Sequence, residues 1–182
     1  ALTVTIKEPA VRQQARRRRG PRAPILSLLR GPILAFVIVA FTGHYAMGAF
    51  EVIWSIYLRD VGASMTLISM TWIAFAVPML FSWLGGRIAD RHNRYRLMVS
   101  GYLFSAVAWV LYGTVPSLLL FVVVNVLEGV AIAYSYPAKQ AFLIQVSPKQ
   151  WIGTVTGMET TAIQLATLLG SLTAPLLYDV IG

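Results

Sequence analysis

Three acids stand inside long apolar runs of this 182-residue chain: Glu51, Glu128 and Glu159. An ionisable side chain at membrane depth is costly and marks a functional site by default. A carboxylate held there can take up and release a proton as its neighbours change, which is the chemistry of coupling to an ion gradient. Glu128 and Glu51 are the candidates for that role. The competing reading is a structural hydrogen bond, or a pairing with an Arg beyond this stretch. His44 lies in the same run as Glu51 and reads as a satisfied polar spacer, with proton carriage as the alternative. Glu159 falls near the basic side of the chain, within reach of Arg91 or Arg94, and suits a gate salt bridge.

Spacing groups these residues. His44, Gly48, Glu51 and Ser55 recur at helical intervals on one side of one run. Asn125 and Glu128 stand at i, i+3 on a second run. Thr156, Thr160, Gln164, Thr167 and Ser171 form a row on a third. Three polar stripes imply a water-filled cavity lined by the first, fourth and fifth runs. The intramembrane substrate candidates are thus Glu51, Glu128, His44, Asn125 and Gln164. Trp72 and Trp109 lie far enough in to touch an apolar substrate.

The elements that must position these groups are membrane helices. The chain is 57% hydrophobic and 12% charged, against roughly 25% charged in soluble domains. Its mean hydropathy is +0.69. Five apolar spans are expected, at about residues 32–58, 65–85, 97–115, 118–136 and 151–178. Pro32 suits a first helical turn. Pro78 should kink the second span. Pro116 and Ser117 make a tight turn, and Pro137 should stop the fourth span. Residues 1–6 look like the tail of an earlier helix, and residues 1–31 form a basic linker with four consecutive arginines from Arg16 to Arg19. The chain reads as a fragment of a longer protein, since it begins at Ala1 and stops just past an apolar run.

Charge sets the orientation. The net charge is +8. Eight Lys and Arg lie in the linker, four at positions 87–96 and two in the expected loop of Lys139 and Lys149, while Arg59 stands alone on the other side. The basic side is therefore expected to be cytoplasmic, in a multi-pass protein of the plasma membrane. The same distribution accounts for the basic balance without nucleic acid, for which no reading motif is present. With no cysteine, thiol catalysis and zinc–thiolate sites are excluded. There is no His-x-x-x-His and no Gly-x-Ser-x-Gly, and His92 lacks metal partners. No metal, no cofactor and no enzymatic activity are expected.

Between the second and third spans the chain reads GRIADRHNRYR at residues 86–96. This resembles the signature loop of the major facilitator superfamily, G-x-x-x-D-[RK]-x-G-[RK]-[RK]. Asn93 stands at the second Gly, as the next best residue for a left-handed turn, and Tyr95 interrupts the basic pair. The fourth span's Glu128-Gly129-x7-Pro137-Ala138 and the fifth's Gly170-x-x-x-Ala174-Pro175 are also similar to family patterns. The resemblance implies an all-α half-bundle of six helices, five of them in this chain, from a twelve-helix parent. Glu128 where the N-terminal half carries Arg, Ala174 where Gly is common and the degenerate loop all favour the C-terminal half, with helices seven to eleven here. An N-terminal half behind a long tail is the competitor.

What the resemblance implies for function is secondary transport by alternating access. Gly86, Asp90, Arg91, Asn93 and Arg94 would form a conformational latch, with Asp90 facing a helix N-terminus of the missing half. The arginines serve equally well as topology signals. A cavity sparse in charge and rich in Thr, Ser, Gly and aromatics suits proton-coupled efflux of lipophilic drug-like compounds. A sugar or small-metabolite transporter is the alternative. From another class, a non-transporting membrane scaffold or receptor would have no use for three intramembrane acids. The expected partners are a small-molecule substrate, a proton or other coupling ion, the lipid bilayer and the missing N-terminal half.

Overall fold

The computed structural model describes residues 25–114 and 117–181. The helix tail at residues 1–6, the arginine run and Pro116 lie outside them. Following a single turn at Ile25–Leu28, the helices are α1 (Gly31–Asp60), α2 (Met65–Met79), α3 (Ser82–Arg91), α4 (Arg94–Thr114), α5 (Leu118–Val146) and α6 (Ile152–Ile181). Among the described residues, five helical stretches are long and apolar enough to cross a membrane, with α2 and α3 together making the second. This is an all-α membrane protein.

Local chemistry explains the ends. α1 closes in a Schellman motif: Ala63 N donates to Leu58 O at 2.9 Å and Gly62 N to Arg59 O at 3.0 Å. Gly62 takes φ +85° there, which a residue with Cβ adopts only with strain. Ser64 then caps α2, its hydroxyl accepting from Leu67 N at 3.2 Å. Just past Pro78 the ladder tightens, with Leu80 N donating to Val77 O and Phe81 N to Pro78 O. These i→i+3 bonds carry the chain through a break without leaving amides unpaired.

Two expectations are corrected. Pro137 does not stop the fourth span; α5 continues through it to Val146. A proline removes one amide, but a chain leaving the helix at membrane depth would strand many backbone groups, so the helix persists. The motif at residues 86–96 is mostly helical, with α3 running to Arg91 and α4 starting at Arg94. Asn93 is not left-handed, since no described non-glycine residue has positive φ. Its Oδ1 accepts from Arg96 N at 3.1 Å, so its short polar side chain caps α4 instead.

Packing divides the helices into two sets. α1 lies along α6, while α5 is flanked by α2, α3 and α4. Both contacts use close backbone approach, as expected where lipid removes the hydrophobic drive between helices. A Cβ on Gly48 would collide with Thr167 O, and one on Gly170 with Tyr45 O. Around α5, a Cβ on Gly85 would strike Ala133 O, and one on Gly129 would strike Phe75 O. The sets meet in two apolar clusters. One centres on Trp54, Tyr112 and Phe121. The other centres on Phe36, Leu143 and Val155.

Candidate functional site

Between the two clusters is a cavity of about 440 Å³. Its walls come from α1, α2, α4 and α5: His44 and Glu51, Phe75, Trp109, and Glu128 and Lys139 among others. The fifth span, expected as a wall, is absent from this lining. α6 packs behind α1, so part of its polar row becomes glue between helices. Ser171 Oγ donates to Gly48 O at 3.1 Å, and Tyr45 Oη and Thr173 Oγ1 lie 2.8 Å apart. Gln164 and Thr160 are exposed. The α1 row splits in the same way: His44 and Glu51 face the cavity while Gly48 turns to α6.

Glu128 is 3% exposed, and both of its oxygens are engaged. Trp109 Nε1 donates to Oε1 at 2.9 Å and Tyr112 Oη to Oε2 at 2.8 Å. Both donors come from α4, whose contact with α5 is set by Gly101 lying against Ser135. The carboxylate is thus held rigidly at the rim of the aromatic cluster, where Phe50 and Trp109 stack with centroids 5.9 Å apart. Trp72 packs against that cluster and is not on the cavity wall. Asn125 is buried but does not pair with Glu128. Its amide donates one turn back to Phe121 O at 3.0 Å.

Glu51 lines the cavity and is exposed, so its charge is open to a solute. His44 is half-buried, with Nδ1 2.7 Å from Ala40 O, which fixes the ring against its own helix.

Glu159 does form a salt bridge, but with a different partner from the one expected. Its carboxylate is 1% exposed. Lys139 Nζ lies 3.2 Å from Oε1, and Gln140 Nε2 donates to the same oxygen at 3.4 Å. Arg91 is exposed at the far end of α3 and Arg94 begins α4. Lys139 is the cavity-lining residue that sequence reasoning missed, because a helix that stops at Pro137 leaves Lys139 in a loop, whereas α5 runs on through it. A signal was present. Glu128, Ile132, Ser135 and Lys139 are spaced 4, 3 and 4, and all four line the cavity.

The motif at residues 86–96 lies apart from the cavity. Asp90, Arg91 and Asn93 are exposed, and Arg94 is half-buried. Gly85, rather than Gly86, permits the helix crossing, since a Cβ on Gly86 would meet nothing within 4 Å. Arg87 stacks on Trp83 at 4.7 Å from the ring centroid.

Helices packed through glycine, with charged side chains lining a cavity between them, define a multi-pass membrane protein. The MFS_1 like family matches residues 3–182, and the chain belongs to this family of the major facilitator superfamily. It is 25% identical over 146 residues to an MFS-type transporter of Methanocaldococcus jannaschii that is itself uncharacterized. That match covers 80% of this chain and 38% of the relative, so the chain spans well under half of the relative's length. No solved structure matches the chain.

Proposed function

We propose that this chain forms half of a secondary transporter that exports small lipophilic or amphipathic molecules in exchange for protons. The observation that carries the reading is the cavity itself. Its wall is largely apolar and aromatic, yet it includes Glu51 open to solute and Glu128 held by two donors. A sugar site would need many free convergent donors and acceptors, whereas Glu128 and Lys139 are already held by Trp109, Tyr112 and Glu159, and Met47, Phe75, Met79, Met98 and Ile132 make much of the wall apolar. Glu51 and Glu128 are the proton-coupling groups, and Trp109 is the aromatic contact for cargo. The other half supplies the opposite wall, since sites in this superfamily lie between repeats. This chain is the C-terminal half, and the turn at Asp90, Arg91 and Arg94 latches it against its partner in one of the two access states. The basic residues preceding α1 lie on the cytoplasmic face of the plasma membrane.

The test is Glu128→Gln in the full-length protein, assayed in everted vesicles with a fluorescent lipophilic dye. Transport driven by a pH gradient should be lost while dye binding is retained. Gradient-driven transport that survives the substitution assigns coupling elsewhere.

A further inference from the structure

The cavity is electrically lopsided. Glu51 lies near the Asp60 end of α1 and Glu128 near the Leu118 end of α5, and these two ends meet in the Trp54–Phe121 cluster, so both acids stand toward one end. Lys139 stands three helical turns from Glu128 on α5, about 16 Å along the axis. At that second end the solute-facing charge is positive. Lys139, itself 5% exposed, lines the wall, whereas its counter-ion Glu159 belongs to α6, is 1% exposed and is not part of the lining. An ammonium has three N–H donors. The contacts of Lys139 Nζ are Glu159 Oε1 at 3.2 Å and the face of Tyr136, 5.3 Å from the ring centroid. Ser135, Tyr102 and Ser105 bring hydroxyl groups to the same cavity, and Met47, Met79 and Ile132 bring apolar surface.

We propose that Lys139 is the head-group site for a small monocarboxylate with an apolar body. The substrate carboxylate shares the Lys139 ammonium with Glu159 and competes with it for that charge. The apolar body lies along the methionine and isoleucine wall. Glu51 and Glu128 repel the anion from the opposite end and so fix its direction in the cavity. Cations and neutral solutes lack this anchor. The proposal rests on the cavity being the transport site, and it names the class of cargo that site takes.

The experiment measures binding by calorimetry to the full-length protein in phosphatidylcholine nanodiscs, which contain no anionic lipid. Three probes share one body: 4-phenylbutyrate, its uncharged amide and the corresponding amine. The wild type should prefer the acid to the amide by about tenfold or more, the worth of one charge-assisted hydrogen bond. Lys139→Gln should erase the preference and Lys139→Arg should keep it. Glu159→Gln should tighten acid binding, because the competing anion is gone. A purely structural ion pair predicts the opposite sign or no change in Glu159→Gln, and that result overturns the proposal. Equal binding of acid and amide in the wild type, or no acid binding at all, overturns it too, without needing any variant to fold. Ala106→Trp, which fills the cavity, separates the two levels. If it abolishes equal binding of acid and amide, the anion site is wrong and the transport cavity stands. If acid binding survives it, the cavity reading fails and the proposal falls with it.

Discussion

Replacing Gly170 by Ala should destabilise the protein, while the same change at Gly157, thirteen residues earlier on the same helix, should not. At Gly170 the new methyl would overlap Tyr45 O and come within 2.9 Å of Ala49 N. Those are backbone atoms of α1, so no side chain can rotate away. α1 and α6 must move apart by several tenths of an ångström or more, against a packed face. Overpacking of this kind costs about 1–3 kcal/mol. The shift also loosens the bonds of Ser171 to Gly48 and of Tyr45 to Thr173, each worth about 0.6 kcal/mol in a bilayer. The total is about 2–4 kcal/mol, reduced by up to about 1 kcal/mol from Ala's helix propensity. At Gly157 a Cβ meets nothing within 4 Å, so only the propensity gain remains and the change is neutral or stabilising. The assay is reversible unfolding of the purified full-length protein in mixed micelles, followed by tryptophan fluorescence. Equal stability of the two variants would refute the claim that the α1–α6 contact is set by backbone approach.

Two further outcomes follow from other parts of the structure. Asp90→Asn should abolish transport by the full-length protein while insertion and stability stay normal, since Asp90 is exposed; unchanged transport rules out the latch. Tyr112→Phe should destabilise by about 0.5–1.5 kcal/mol through loss of its hydrogen bond to Glu128, and a double-mutant cycle with Glu128→Gln should show coupling above about 0.5 kcal/mol. Additive effects in that cycle would mean that the 2.8 Å contact of Tyr112 with Glu128 contributes nothing.

The five spans were legible because lipid demands long apolar runs. What stayed hidden depended on partners distant in sequence. Pro137 reads as a terminator only if water waits beyond it, and here protein and lipid surround the helix instead. That error concealed Lys139 and assigned Glu159 to the arginines near residue 90. The row from Thr156 to Ser171 looked like a cavity wall because polarity on a helix does not say whether water or another helix faces it. Only the reciprocal fit of Gly48 and Gly170 settles that part of α6 faces α1. The cavity acids Glu51 and Glu128 were found by burial cost alone, but the donors Trp109 and Tyr112 lay on a helix that the stripes did not implicate.

The pairing of α1 with α6 also bears on biogenesis. α1 ends at Asp60 and α6 begins at Ile152, so at about 5–20 residues per second the ribosome takes roughly 5–18 s to deliver the partner. Throughout that interval α1 resides in the bilayer with its glycine face uncovered, while α2 to α5 emerge next to one another and can dock as they arrive. Of these helices α1 is therefore made first and locked among the last, and the nascent chain depends on lipid or an insertion factor to shield that face until α6 appears.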